Sequence, residues 1–352
     1  MKVLNMMNEN KIIKESDFYS KQFKFSYSSL NRLVYSPVLF YNEYVLGNKE
    51  IKSDIHLIEG KLIHYLMLDS TSFEDKYIIA PLSLPSDNIK MVADVVYELV
   101  KNDDSELQLS DYPDIILQTL KQINLYQKFV DDKKADKDGV KKTGDEKRLE
   151  KVLTPETIAY FNFLKIKKGK DIIDQQTLDK CTQVADSLKE NKKIRDLLGL
   201  DLLNDGVVLG IYNEQEMDME LKEYPFGLKG IIDNMVVDTR SKTVVINDLK
   251  TSSKSLSDFP ESVSYWNYSM QAAVYMKLVK EFLKDVLDDT WSITFNFIVI
   301  DKYGQVYPFK VSDESMSKWL DNLETILTHA KYHYEHRDYS LPYQFITENV
   351  VL

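Results

Sequence analysis

The sequence predicts an α/β protein with a mixed central sheet flanked by helices and a helical insertion in its middle. Three observations predict it. Between Gly206 and Thr251 the chain reads as short strands joined by tight turns. A helix-patterned run follows, and two further strands and a long helix close the chain. Strands that resume after a helix imply a crossover, and a crossover lays helices on a sheet.

The elements follow in order. "SYSSLNRLVYSPVLFYNEYVLG" reads as a helix with Ser28 or Ser29 as its cap and Pro37 interrupting it. "IHLIEGKLIHYLMLD" reads as a second amphipathic helix, and mixed helical patterns run from Met91 to Leu198. Inside them, "DDKKADKDGVKKTGDEKRLEK" balances its charges and lacks apolar residues, so it reads as a solvated loop. The segments "GVVLGIY", "EMDMELKEY", "GLKGIIDNMVVD" and "TVVINDLKT" read as an antiparallel meander. "SVSYWNYSMQAAVYMKLVKEFL" is the crossover helix, "WSITFNFIVI" and "QVYPFKV" are strands, and a helix spans Asp313 to His336. The expected organisation is an N-terminal helical part over 1–100, a helical insertion over 101–200, and a strand-rich core over 201–352.

Composition bounds the function. The one cysteine, Cys181, excludes a disulfide framework or a four-cysteine metal site within one chain, and it fits a reducing cytoplasm. No N-terminal apolar run suits a signal peptide, and no segment approaches the roughly 20 apolar residues of a membrane span. The net charge of −11 argues against a general electrostatic grip on nucleic acid but leaves room for a local basic groove.

Chemistry concentrates in "VVINDLKTSS", Val244 to Ser253. A buried apolar strand ends in Asp248 and Lys250, which alternation places on one face. An even-numbered turn near Arg240 and Ser241 pairs Val237 with Val244 and Met235 with Ile246, and the same register sets Asp233 opposite Asp248. Opposed carboxylates repel, and a hard divalent cation, Mg²⁺ or Mn²⁺, reverses that sign. On this reading, removing one carboxylate raises the stability of the metal-free protein slightly. The alternative is a surface salt bridge between Asp248 and Lys250. Two carboxylates, a cation and a lysine suit phosphodiester hydrolysis. His64 is a further candidate ligand, and Gln271 and Tyr275 share one helical face. His329, His333 and His336 read as a polar helix end.

In this order the residues resemble the PD-(D/E)XK nuclease superfamily in its RecB-like branch. The matching motifs are Gly60 with His64, Gly230 with Asp233, Asp248 with Lys250, and Gln271 with Tyr275. The segments "YSSLNRLVYSPVLFYNEYV", "GKLIHYLMLDSTSFEDKYIIA" and "YFNFLKIKKGKDII" are similar to RecE-type exodeoxyribonucleases, which are common in phages and prophages.

The resemblance implies a restriction-endonuclease-like core and a role for each matched residue. Asp233 and Asp248 would be the principal metal ligands, with His64 and the Leu249 carbonyl completing the set. Lys250 would position or activate the attacking water, and Gln271 and Tyr275 would hold the DNA strand. An upstream glutamate often joins such sites; Glu216 is the choice, with Glu214 its competitor. Lys254, Lys165 and Lys168 are candidates for an electrostatic track. The implied activity is Mg²⁺- or Mn²⁺-dependent cleavage from double-stranded DNA ends, 5′ to 3′, by a homo-oligomer that works with a single-strand annealing protein; the alternatives are a structure-specific or single-strand nuclease of the same superfamily, or a catalytically silent DNA-binding protein that keeps the fold. No cysteine cluster and no "GxxxxGK[ST]" motif is present, so neither an iron–sulfur cluster nor a helicase motor is expected.

Overall fold

The computed structural model describes residues 15–49, 55–68, 73–101, 108–129, 143–167, 169–203, 205–206 and 208–347. The chain forms one unit from residues 1–69 and 183–352, and a second from residues 70–182. The inserted unit therefore begins and ends earlier than the 101–200 read from the pattern.

Strand β1 (Lys24–Phe25) leads into α1 (Tyr27–Tyr35). Ser26 is the cap, and Ser29 returns the bond to its backbone in a reciprocal capping box. The expected caps, Ser28 and Ser29, thus lie inside the first turn. Pro37 does interrupt the helix: Ser36 caps α2 (Pro37–Phe40), with Pro37 in its first turn, where a missing N–H costs nothing. The expected amphipathic helix forms as α3 (Ile55–Leu68).

The inserted unit carries α4 (Phe73–Lys76), β2 (Tyr77–Ile79), α5 (Asp87–Val100), α6 (Pro113–Gln122), α7 (Gly144–Val152), α8 (Pro155–Ile166) and β3 (Asp171–Ile173). Its core gathers Val92, Val96, Ile116, Leu120 and Phe161. The parallel β2–β3 pair was not legible among the helical patterns. Most of the charged run, 131–142, lies outside the described residues. Its end is not a loop but the helix α7. Thr143 and Glu146 box its N-terminus, and the buried Arg148 lies 3.6 Å over the Tyr126 ring.

After α9 (Gln175–Glu190) comes α10 (Lys192–Leu198), stopped by Gly199 at φ +69. Strand β4 (Leu209–Glu220) fuses the two first segments of the meander, because its pairing with β5 (Gly227–Asp238) holds one register from Leu209↔Asp238 to Glu220↔Gly227. β6 (Thr243–Thr251) then pairs in the predicted register, Val237↔Val244 and Met235↔Ile246. The crossover breaks in two, α11 (Phe259–Tyr265) and α12 (Tyr268–Phe282), where Asn267 turns left-handed at φ 56. It delivers β7 (Ser292–Ile300) parallel to β6, and β8 (Val306–Lys310) returns antiparallel. Helix α13 (Asp313–His336) forms as predicted, and α14 (Tyr343–Thr347) ends the described chain.

The result is a mixed sheet of six strands, the arrangement of a restriction-endonuclease-like core. β4, β5, β6, β7 and β8 lie side by side, and β1 joins β5 in parallel at Gly227 and Leu228. Helix α12 packs on β4 and β5, and α10 on β5 and β6. The apolar row Met235, Ile246 and Phe295 shares a core with Val274 and Leu278 of α12. Each such fully buried side chain contributes roughly 1.5–3 kcal/mol. That core fixes the sheet face on which the polar row next to it stands.

Candidate active site

Asn213↔Asn234 and Asn234↔Asn247 are paired across β4, β5 and β6. The next residue on each strand is an acid: Glu214, Asp233 and Asp248. Alternation puts these acids in one row on the opposite face, toward α12. Main-chain pairing relaxes at that row. The β4–β5 ladder resumes only at Gln215↔Ile232, with Glu214 at φ 46, and the β5–β6 ladder ends at Asn234↔Asn247. Asp233 fills the gap with its side chain, Oδ2 accepting the Leu249 N–H at 2.8 Å.

Asp248 is fully buried. Its Oδ1 accepts a hydrogen bond from Gln271 Nε2 at 2.9 Å, and Lys250 Nζ forms an ion pair with Oδ2. The salt bridge considered from the sequence thus exists, but inside the protein rather than on its surface. Burial pushes the Asp248 carboxyl up to about 6, with Lys250 opposing and Asp233 adding to the rise. For Lys250, burial pulls the other way, yet Asp248 and Asp233 outweigh it and hold the ammonium above its usual value. The two aspartates are therefore not a bare repelling pair, because each has its own donors.

His64 enters from α3. Its Nε2 donates to the Leu249 carbonyl at 2.8 Å, which leaves Nδ1 facing Asp233 Oδ2 at 3.6 Å and Glu214 Oε1 at 3.8 Å. Burial alone would lower the imidazole, but the Asp233 and Glu214 carboxylates raise it above its ordinary value. One donor atom from each of His64, Glu214 and Asp233 falls within 4.8 Å of the others. Glu214 Oε1 is buried with no hydrogen-bond partner, a costly state that a cation would relieve. Hard oxygens and an imidazole around such an atom fit a divalent ion. Glu216, the upstream glutamate preferred from the sequence, lies one pleat further on, exposed at the same cleft and outside this cluster. Its competitor Glu214 is the glutamate that falls within the cluster.

Two glycines let the elements close. A Cβ on Gly60 would meet Thr251 Oγ1 at 3.0 Å, and one on Gly230 would meet the Tyr275 ring at 3.0 Å. Gln271 and Tyr275 are buried, with Gln271 Nε2 also donating to the Tyr275 hydroxyl at 3.0 Å. In this state Gln271 is occupied with Asp248, and both side chains still line a cleft of about 900 Å³ together with Tyr27, Lys229, Lys250 and Tyr268. Tyr27 and Tyr268 were missed in the sequence. Burial raises both phenols, which stay protonated, and Lys250 Nζ sits 5.0 Å over the Tyr268 ring. Tyr27 also donates to the Trp266 carbonyl, tying α1 to the break in the crossover.

Lys254 lies 5.9 Å from the exposed Tyr265 ring. Lys165 belongs to the inserted unit, where it lies over Phe161, and Lys168 is outside the described residues. Near the C-terminus, His333 is buried against Tyr339 and bonds to the Asp338 carbonyl, while His336 bonds to the Tyr332 carbonyl. Among the described residues these histidines form no metal cluster. No described helix is long and apolar enough to cross a membrane.

A model of the PD-(D/E)XK nuclease superfamily matches residues 24–339. No curated protein sequence matches the chain. Among solved structures, a candidate exonuclease from Eubacterium rectale is 11% identical, with a TM-score of 0.45, over 91% of this chain and 84% of that one. A likeness at that score supports no inference about function.

Proposed function

We propose, since the chain belongs to the PD-(D/E)XK nuclease superfamily, that it is a Mg²⁺- or Mn²⁺-dependent DNA exonuclease acting on double-stranded ends. The observation that carries the reading is the row Glu214, Asp233 and Asp248, with Asp233, His64 and Lys250 lining one cleft. Glu214, Asp233 and His64 Nδ1 would hold the ion, with Asp248 adjoining. When bound, the ion supplies Lewis-acid chemistry and a hydroxide-like nucleophile. The chain's own residues prepare the rest. Gln271 fixes Asp248, and Lys250 offers a fixed positive charge where negative charge develops on the phosphate. The protonated phenols of Tyr27, Tyr268 and Tyr275 offer hydrogen-bond donors rather than further negative charge.

The direction, 5′ to 3′ with a 3′ overhang left for an annealing partner, rests on the likeness of the N-terminal segments to RecE-type enzymes, as does a homo-oligomer. Linear duplexes labelled at either the 5′ or the 3′ end, incubated with Mg²⁺, test it. Early release of the 5′ label as a short product supports the direction, and early release of the 3′ label refutes it.

One observation favours a second reading, a nuclease of single strands or of junctions. Tyr265 and Trp266, 72% and 50% exposed, stand edge to face at 4.7 Å beside the cleft. Aromatic faces of that kind stack on unpaired bases. Cleavage of single-stranded DNA faster than of blunt duplex would favour this reading.

A further inference from the structure

The face of the sheet opposite the acids carries a row that the reaction does not use. Asn213, Asn234, Asn247 and Asn296 stand side by side on β4, β5, β6 and β7. Their side chains are bonded head to tail. Asn234 Nδ2 donates to Asn213 Oδ1 at 2.7 Å, Asn247 Nδ2 to Asn234 Oδ1 at 2.8 Å, and Asn296 Nδ2 to Asn247 Oδ1 at 3.0 Å. The second amide hydrogens of Asn234 and Asn247 go to the Leu198 and Leu197 carbonyls, at 3.2 and 2.8 Å. Those carbonyls end α10, where a helix has no partners of its own for them. Both donors of each central amide are thus satisfied, and Asn234, Asn247 and Asn296 are buried.

An apolar row would fill this space at lower desolvation cost, so the position of the amides needs a reason. Each of Asn213, Asn234 and Asn247 is the chain neighbour of one acid. The backbone ladder is interrupted at the acid row itself, between β4 and β5 at Glu214 and between β5 and β6 beyond Asn234↔Asn247. Side-chain bonds therefore cross-link the strands at the level directly beside that interruption, which for β5 and β6 is the last level their backbones pair. They also brace that level against the end of α10.

We propose that the asparagine row is a positioning clamp that sets the spacing of Glu214, Asp233 and Asp248. The inference rests on reading that acid row as a cation site. None of the four asparagines is a catalytic residue; each acts through the acid beside it.

The test uses the metal-free full chain and the substitutions Asn247→Leu and Asn296→Leu. Asn296→Leu is the milder, since it removes one bond and leaves the contacts to α10 in place. Two quantities are read without DNA: hydrogen exchange of the Leu249 N–H, which reports its bond to Asp233, and Mn²⁺ affinity by calorimetry. The clamp predicts Leu249 exchange at least tenfold faster, with Val236 and Val245 still protected as in wild type, and Mn²⁺ affinity at least tenfold weaker. A row that merely stabilises the fold would speed all three amides together. Wild-type exchange at Leu249 in folded Asn296→Leu, or a uniform rise at all three amides, overturns the clamp. Absence of Mn²⁺ binding by the wild-type chain would instead strike at the cation reading of the acid row, and exchange at Leu249 would still decide the clamp.

Discussion

His64 Nε2 donates to the Leu249 carbonyl at 2.8 Å, and the ring's other nitrogen is thereby turned toward Asp233. One hydrogen bond fixes both the tautomer and the direction of the free lone pair. Outer bonds of this kind commonly orient a histidine ligand. The Leu249 backbone serves both partners, since its N–H is held by Asp233 and its carbonyl by His64.

If His64 belongs to the proposed cation site, that geometry predicts Nδ1 as its ligating atom. In His64→Asn a side-chain atom occupies nearly the position of Nδ1, whereas in His64→Gln it reaches the position of Nε2. Mn²⁺ calorimetry should find His64→Gln weakened about 10–100-fold, the range for disturbed ligand geometry, and His64→Asn clearly less so. The reverse order would show that Nε2 is the ligand.

Asp248 and Lys250 share a buried ion pair, so removing one partner strands the other. Asp248→Ala should destabilise the metal-free protein by about 3–5 kcal/mol in chemical denaturation. The slight stabilisation expected from relieving two opposed carboxylates does not follow, because Lys250 and Gln271 already bond Asp248. Lys250→Met, which loses the charge but keeps an apolar stem, should fold and bind Mn²⁺ yet cleave at least a hundredfold more slowly. Near wild-type cleavage by Lys250→Met would remove the lysine from the chemistry.

Burial holds the Asp248 carboxyl up at about 6, above the ordinary aspartate value of 3.8. An acid whose folded value is raised binds protons more tightly in the folded state, so its cost to stability is greatest above about 6 and disappears as pH falls toward 4. Metal-free wild type should therefore gain on Asp248→Asn by about 1–3 kcal/mol between pH 7 and pH 4. A difference that stays flat across that range would mean that Asp248 titrates normally.

The hairpin register was legible because its apolar residues must face the core, and a one-residue slip would turn all of them outward. Val237, Val244, Met235 and Ile246 left one solution, and it brought Asp233 beside Asp248. Glu214 was ambiguous for a related reason. Regular alternation would put Glu214 and Glu216 on one face, so it cannot choose between residues two apart. The left-handed backbone at Glu214 breaks the alternation there, and no residue pattern announced that turn. The asparagine row went unread because a single Asn in a strand carries little signal. Its meaning comes from four strands in register, two of them separated by the crossover. The helix at Gly144 was hidden by charge, since Arg148 is buried by stacking on Tyr126 rather than by apolar character.

The cation-dependent nuclease proposed for this chain needs a DNA end. One measurement tests it directly: covalently closed circular duplex and the same DNA linearised, each incubated with Mg²⁺, with Lys250→Met and EDTA as controls. The linear DNA should shorten progressively, the circle should survive, and both controls should stop the shortening. Rapid nicking or linearisation of the closed circle by the wild-type chain, absent with Lys250→Met, would contradict the requirement for an end, and cleavage that persists in excess EDTA would contradict the cation site itself.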